Sequence, residues 1–247
     1  CLNRGCVPSK ALLAAAHIGQ AIKDAETFGW TIKGSVNFQG VQNHIQRVIK
    51  TLKPHDSIER FESLGVKVIQ EMGLFKNEAT VETNRYLIHA KRFIIATGSY
   101  PFIPTIPGLQ NINYLTNETI FELKELPEHL VIIGGGPIGI EMAQAFLNLG
   151  SKVTVLEAFK ALPKDDPELS HPLLEYLKSK GLDLIEGKPI HRIQKAADGF
   201  KISVGNNYIT GTHLLVAAGR RPRIDSLNLD AAGIKFTSQG IQVNEKL

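Results

Sequence analysis

The fold is decided by the segment Leu130-Val131-Ile132-Ile133-Gly134-Gly135-Gly136-Pro137-Ile138-Gly139, which joins four apolar residues to a glycine-rich turn. Residues 130–133 have the composition of a buried strand, and residues 137–149 have helical spacing that ends at Gly150. A further strand is predicted at residues 152–156, followed by the acidic residue Glu157. This order of strand, turn, helix and strand is typical of an α/β fold with a parallel sheet.

The glycines of this turn match the pattern G-x-G-x-x-G, and Glu157 follows the last of them by 18 residues. Gly134 would form the tight turn, Gly136 would let the backbone approach a pyrophosphate, and Gly139 would let helix and strand pack closely. The helix N-terminus would face the phosphates. We therefore predict a Rossmann-type nucleotide site formed by Gly134, Gly135, Gly136, Pro137, Ile138, Gly139 and Glu157.

The acidic residue also predicts which nucleotide binds. Glu157 would accept hydrogen bonds from the adenosine ribose, and its charge would repel a 2′-phosphate, so NAD is favoured. Lys160 and Lys164 lie nearby in the sequence and leave NADP as the alternative, because a basic residue can accommodate that phosphate.

The chain's two cysteines both lie in its first ten residues, Cys1-Leu2-Asn3-Arg4-Gly5-Cys6-Val7-Pro8-Ser9-Lys10. A helix is predicted at residues 9–24, so Cys6 lies at or just before a helix N-terminus, where the helix dipole favours a reactive thiolate. A structural disulfide here would contribute only about 2 kcal/mol, because the loop it closes is short. A redox-active pair is favoured, and a structural disulfide, unrelated thiols or a metal-binding pair remain alternatives.

Residues 93–101 and 214–222 share one pattern, in which an apolar run leads into a small-residue turn and a proline. We predict a buried strand at residues 93–98 and another at residues 214–219, each after a hairpin, as an internal repeat. The second copy contains its opening strand and glycine turn, whereas the first does not. A strand is also predicted at residues 66–69, and a helix over residues 41–64 is expected to break near Pro54.

The bulk composition places limits on partners and location. The 247 residues are 43% hydrophobic and 21% charged, which is typical of a globular protein with one large or two medium domains. The basic residues behind the net charge of +4 are dispersed, so no nucleic-acid surface is predicted. Without an apolar run of about 18 residues no membrane span is predicted. No signal peptide or resident metal site is predicted, and the expected location is the cytoplasm.

The segment from Cys1 to Lys10 resembles the redox-active disulfide motif of the flavin-dependent pyridine nucleotide-disulfide oxidoreductases, in particular their dihydrolipoamide dehydrogenase and mercuric reductase branches. The resemblance implies that Cys6 faces the flavin and that Cys1 exchanges with substrate. It implies that Lys10 pairs with Glu141, expected in the first turn of the helix at residues 137–149, beside the flavin ring. It also implies FAD contacts at Gly73, Thr97 and Gly98, and a nicotinamide-nucleotide contact at Gly219.

These inferences combine into one domain plan. The expected fold class is α/β with two Rossmann-like domains, the first incomplete at its N-terminus. Residues 1–117 would form a partial FAD-binding domain with the redox disulfide, residues 118–240 the NAD(P)-binding domain, and residues 241–247 the start of a return to the FAD domain.

The resemblance implies an enzyme that moves electrons between NAD(H), FAD and a Cys1–Cys6 disulfide. Its substrate would be a small-molecule or protein-bound disulfide, and the full-length protein would be a homodimer. One alternative is an NAD(P)H-dependent metal-ion reductase of the mercuric reductase type, and another is a non-catalytic dinucleotide-binding module. Because the first copy lacks its glycine turn, we expect the 247-residue chain alone to bind no FAD tightly and to be inactive.

Overall fold

The computed structural model describes residues 1–245, so residues 246 and 247 of the predicted tail segment 241–247 lie outside the described residues. The α-helices are α1 (Cys6–Asp24), α2 (Phe38–Leu52), α3 (Ile58–Ser63), α4 (Pro137–Leu149) and α5 (Pro167–Ser179). The strands are β1 (Leu74–Asn77), β2 (Thr80–Glu82), β3 (Leu87–His89), β4 (Ser99–Pro101), β5 (Tyr114–Leu115), β6 (His129–Ile133), β7 (Lys152–Glu157), β8 (Asp183–Glu186), β9 (Ile190–Ala196), β10 (Gly199–Val204), β11 (Asn207–Gly211), β12 (His213–Val216), β13 (Arg220–Pro222), β14 (Phe236–Thr237) and β15 (Gly240–Ile241). Among these, no helix is long and apolar enough to cross a bilayer.

The chain forms two compact units. Unit 1 comprises residues 1–55 and 103–219, and unit 2 comprises residues 56–102 together with the described part of 220–247. The predicted boundary between residues 117 and 118 concerns which cofactor each part binds, and it stays a prediction.

Unit 1 is built on a parallel sheet with the strand order β5-β12-β6-β7-β8, which confirms the predicted fold class. Successive side chains of a strand point to opposite faces. Leu130 and Ile132 of β6 therefore pack with the helices on one face, and Val131 and Ile133 pack with the antiparallel sheet β9–β10–β11 on the other. Burial on both faces explains why β6 is apolar throughout its core rather than alternating.

The helical face of unit 1 brings α1 onto α4. A Cβ atom added at Gly19 of α1 would lie 2.7 Å from the carbonyl oxygen of Asn148, so glycine permits this approach. Ala16 of α1 is fully buried in the same cluster as Phe146 of α4. Lys23 Nζ also donates to the carbonyl oxygen of Leu147 at 3.2 Å. The predicted small-residue helix is confirmed, although it begins at Cys6 rather than at residue 9.

A polar row crosses the amino ends of the parallel strands. His129 Nε2 lies 2.9 Å from Thr154 Oγ1, and that hydroxyl donates to Asp183 Oδ2 at 3.1 Å. Burial, with a smaller contribution from Lys152, lowers the pKa of His129, and burial lowers the pKa of His213 on the neighbouring strand β12. The neutral imidazoles are therefore the form that this end of the sheet favours.

Unit 2 contains the antiparallel sheet β1–β2–β3, which confirms the hairpin predicted around Asn84 and Arg85. Its core consists of Phe75, Ile224, Leu227 and Leu229. Strand β4 pairs antiparallel with β13, and β14 pairs with β15. The helical break expected near Pro54 is also found, since α2 ends at Leu52 and a 3-10 turn spans Lys53–Asp56 before α3.

Two predicted strands are wrong. Residues 93–98 have irregular backbone, and Ile94 is 94% exposed rather than buried. Residues 66–69 likewise form no strand, and Val66 is 48% exposed. The physical reason is the same in both places, because no strand in residues 1–245 lies in position to complete a hydrogen-bonded ladder with either segment.

Candidate functional site

The two cysteines lie side by side at the start of α1. Their Sγ atoms are 2.7 Å apart, both residues are exposed, and both are free thiols. The first residues fold back onto the helix, because the Val7 N–H donates to the Cys1 carbonyl at 3.2 Å. A side chain at Gly5 would press on Cys1 Cα at 3.2 Å, so glycine keeps the loop tight. A disulfide bond of about 2.05 Å is within reach of this geometry, and its formation stays a prediction.

A second group of contacts fixes the first turns of α1 against α4. Lys10 Nζ donates to Glu141 Oε1 at 2.7 Å, and Ser9 Oγ donates to Glu141 Oε2 at 2.9 Å. The predicted pairing of Lys10 with Glu141 is confirmed as a contact, whereas its place beside a flavin stays a prediction. Glu141 is the fifth residue of α4, which begins at Pro137, so it lies in the second helical turn rather than the first.

Sequence reasoning missed the residues that hold the cysteine loop from its other side. Asn117 Nδ2 donates to the Arg4 carbonyl at 3.0 Å, and the Arg4 guanidinium lies 3.7 Å from the Glu118 carboxylate. Ser9 was likewise missed as a partner of Glu141. These contacts join residues more than 100 positions apart, and no local sequence pattern specifies such a pair.

The glycine turn after β6 has the conformation that the motif predicts. Gly134 has φ +114°, and a Cβ atom there would lie 2.4 Å from the Ala217 carbonyl oxygen. At Gly139 a Cβ atom would lie 2.0 Å from the Gly134 carbonyl oxygen, so close packing of helix and strand requires this glycine. A Cβ atom at Gly136 would meet nothing within 4 Å, so the chain leaves open space at the start of α4. Open space at a helix N-terminus fits the phosphate of a nucleotide.

Glu157 lies at the carboxyl end of β7 and is tied to this turn. Its Oε2 accepts from the Gly135 N–H at 2.7 Å, and its Oε1 accepts from the Phe159 N–H at 2.9 Å. Each carboxylate oxygen retains a further lone pair, so the residue can still accept from a sugar hydroxyl. The predicted ribose contact of Glu157 stays a prediction.

The remaining residues of the motif border the same helix. Pro137 is the first residue of α4, and it lines a cavity of about 300 Å³ together with Glu141 and Leu162. Ile138 is 37% exposed at the second helical position. Both residues therefore lie at the open end of the helix, as the motif predicts.

The predicted FAD contacts Gly73, Thr97 and Gly98 all lie in unit 2. Thr97 Oγ1 donates to the Arg223 carbonyl at 2.7 Å, and the Arg223 N–H donates to the Gly98 carbonyl at 2.9 Å. A Cβ atom at Gly73 would approach Val81 Cγ1 to 2.9 Å, so packing within unit 2 explains that glycine. The FAD role of these residues stays a prediction.

Gly219 lies in unit 1, at the end of the segment that follows β12. It has φ +121°, and a Cβ atom there would meet nothing within 4 Å. Unit 1 thus contains the cysteines, Lys10, Glu141, the glycine turn, Glu157 and Gly219. Within the described part of the chain no cluster of three or more His, Cys, Asp or Glu is arranged to hold a metal ion.

Comparison with known proteins places these features in a family. Residues 1–247 match the model of the pyridine nucleotide-disulphide oxidoreductases. The chain is 37% identical over 246 residues to a mercuric reductase of Bacillus cereus, covering 97% of this chain and 39% of that protein. It is 32% identical over 249 residues to a dihydrolipoyl dehydrogenase of Chlamydia trachomatis, covering 98% of this chain and 53% of that protein.

Comparison with solved structures also finds a flavoprotein disulfide reductase that matches the whole chain. A Cu(II) complex of the HOCl-induced flavoprotein disulfide reductase RclA from Escherichia coli matches all of this chain and 54% of that protein, with a TM-score of 0.82 and 30% identity. The chain therefore spans about half the length, or less, of these relatives. Together with the paired cysteines and the glycine turn, the match over its whole length shows that this chain belongs to the pyridine nucleotide-disulphide oxidoreductase family.

Proposed function

We propose that this chain is part of a flavin-dependent oxidoreductase that moves electrons between NAD(H), FAD and a redox-active pair formed by Cys1 and Cys6. The observation that carries the proposal is that the two sulfurs lie 2.7 Å apart in the same unit as the glycine turn. The Ser9 and Lys10 contacts to Glu141 join the helix that bears Cys6 to the helix that the turn begins.

The proposed reaction divides its tasks among named residues. The glycine turn and the start of α4 bind the pyrophosphate of NAD, and Glu157 orients the adenosine ribose. FAD, when bound, supplies the two-electron relay between the nicotinamide and the cysteines. Two electrons and a proton break the Cys1–Cys6 bond and leave one thiol and one thiolate. Cys1, in the exposed N-terminal loop, then exchanges with a disulfide substrate through a mixed disulfide.

We further propose NAD rather than NADP as the nucleotide. Support comes from the Glu157 carboxylate, which both Gly135 and Phe159 hold beside the turn, where it would repel a 2′-phosphate. A homodimer is proposed for the whole protein on the family resemblance, and the cytoplasm stays its expected location.

A metal-ion reductase is the second candidate. Mercuric reductases of Bacillus cereus, Lysinibacillus sphaericus and Staphylococcus aureus are 35–37% identical to this chain. Two exposed cysteine thiols in one loop also suit a soft, thiophilic metal ion as the substrate, because thiolates are soft ligands. Both candidates use the same cysteines, and they differ in the electron acceptor and in that the metal-ion reductase would take electrons from NAD(P)H.

The proposal predicts how many electrons the full-length protein takes up. In an anaerobic titration followed by flavin absorbance, the wild type should consume about two equivalents of NADH, one for FAD and one for the disulfide. The Cys1→Ser and Cys6→Ser variants should consume about one equivalent. Parallel assays with a small dithiol-forming disulfide and with Hg(II) as the acceptor separate the two candidates.

Several results of this titration, and of a separate comparison of NADPH with NADH binding, would contradict the proposal. A wild-type protein that takes up one equivalent would show that the cysteines are not redox-active. A full-length protein without flavin absorbance would favour the non-catalytic binding module. Tighter binding of NADPH than of NADH would contradict the role of Glu157.

A further inference from the structure

We propose that Phe159 is the stacking platform for the adenine base of the bound dinucleotide, an inference that rests on the proposed function. Dinucleotides bind outside the carboxyl ends of the strands in parallel α/β sheets. Among the three residues that follow each of β5, β6, β7, β8 and β12, Phe159 is the sole aromatic side chain. It is also 81% exposed, so its ring is available to a ligand.

The exposed ring does not sit on a loose loop. The Phe159 N–H donates to Glu157 Oε1 at 2.9 Å, and the Phe159 carbonyl accepts from the Gly187 N–H at 3.0 Å. Two residues further on, the Ala161 N–H donates to Glu186 Oε1 at 2.7 Å. The backbone on both sides of Phe159 is therefore fixed to the ends of β7 and β8. The ring is thus attached to an ordered backbone before the ligand binds.

The residues near Phe159 indicate that the adenine base, rather than another part of the dinucleotide, lies against its ring. Glu157, two residues earlier, is the proposed partner of the adenosine ribose, and its other oxygen holds the Gly135 N–H at 2.7 Å. Adenine is attached directly to that ribose, so only the ribose separates the base from Glu157. The flat, apolar ring of Phe159 can stack on adenine, and stacking would remove the ring from its unfavourable contact with water.

Calorimetric titration of the 247-residue chain tests the inference with NADH, 5′-AMP and nicotinamide mononucleotide as separate probes. Phe159→Ala should weaken binding of NADH and 5′-AMP about tenfold, while binding of nicotinamide mononucleotide should stay unchanged. Phe159→Tyr should retain affinity because it keeps the flat ring, and Phe159→Leu should not. Tyr208→Ala is the control, because Tyr208 is a 63% exposed aromatic residue on β11 of the antiparallel sheet and does not follow a strand of the parallel sheet.

A spectroscopic variant gives a readout that a structural role of Phe159 would not produce. Trp30 is the chain's single tryptophan and is 68% exposed, so Trp30→Phe combined with Phe159→Trp places one indole at the proposed platform. Adding 5′-AMP should quench its fluorescence, and adding nicotinamide mononucleotide should not.

The outcomes separate the two levels of the proposal. Equal affinities of wild type and Phe159→Ala for 5′-AMP, or an equal loss in Tyr208→Ala, would overturn the stacking role alone. Failure of the unsubstituted chain to bind NADH and 5′-AMP would overturn the dinucleotide site of the proposed function, and the stacking role with it.

Discussion

Residues 93–101 and 214–222 carry the same apolar pattern but have different structures. In the second segment, residues 214–216 belong to β12, at an inner position of the parallel sheet between β5 and β6. In the first, residues 93–98 are irregular. The equivalent residues Leu215 and Ile94 are 0% and 94% exposed. An apolar run therefore becomes a strand only where neighbouring strands supply its hydrogen bonds.

The two segments also differ in how many of their faces are covered. Phe93 packs on Phe75 of unit 2, with ring centroids 5.3 Å apart, whereas Ile94 points to solvent. In β12, Leu214 lies in the cluster under the antiparallel sheet and Leu215 lies in the cluster under the helices. One covered face can hold a segment in place, but two covered faces are what a buried strand requires.

Truncation of equivalent residues should give the largest difference between the two segments. Leu215→Ala removes a fully buried side chain and should lower the free energy of unfolding by about 2–5 kcal/mol. Ile94→Ala removes an exposed one and should change it by less than about 0.5 kcal/mol. Urea unfolding followed by circular dichroism measures both, and a loss in Ile94→Ala as large as in Leu215→Ala would show that the two environments are alike.

Asparagine substitutions at the turn glycines of the two segments, Gly98 and Gly219, should give a smaller difference in the free energy of unfolding. Gly98 has φ +72° and Gly219 has φ +121°, and an added Cβ atom would meet nothing within 4 Å at either position. Asparagine tolerates φ near +60° but not near +120°. Gly98→Asn should therefore be nearly neutral, whereas Gly219→Asn should cost about 1–3 kcal/mol in the same unfolding measurement. Equal costs would mean that backbone conformation does not distinguish the two turns.

Protonation of histidines should have the smallest effect on the free energy of unfolding. The histidines concerned lie in the parallel sheet that contains β12. The lowered pKa values of His129 and His213 mean that the fold favours the neutral imidazoles. Their contribution to stability is present above the usual histidine pKa of about 6.5 and is lost as the pH falls below it. The double variant His129→Gln/His213→Gln should flatten the decline in stability between about pH 6.5 and pH 5.

His191→Gln, at an exposed position of β9, is the control for this pH series. It should leave the slope of stability against pH unchanged. A slope that is the same in the double variant and in the wild type would show that the two sheet histidines do not cause it.

Local sequence patterns predicted some features of the candidate site but not others. The glycine turn, the helix that begins at Pro137 and the position of Glu157 at a strand end followed from residues that lie close together in the sequence. The contacts of Ser9 with Glu141 and of Arg4 with Asn117 could not be predicted in that way. The Ser9–Glu141 contact depends on the packing of α1 on α4, where Gly19 allows the close approach, and the Arg4–Asn117 contact depends on the loop after β5 lying against the cysteine loop.

The sequence by itself determined the parallel α/β unit, because its strands are apolar on both faces and its turns contain the glycines that a left-handed or crowded backbone requires. It also determined that the two cysteines flank the start of a helix, since a proline and small residues follow them. Only the tertiary structure decided which of the two repeated segments is a strand. It also decided that the two carboxylate oxygens of Glu141 contact Ser9 and Lys10, because both outcomes depend on partners distant in the sequence.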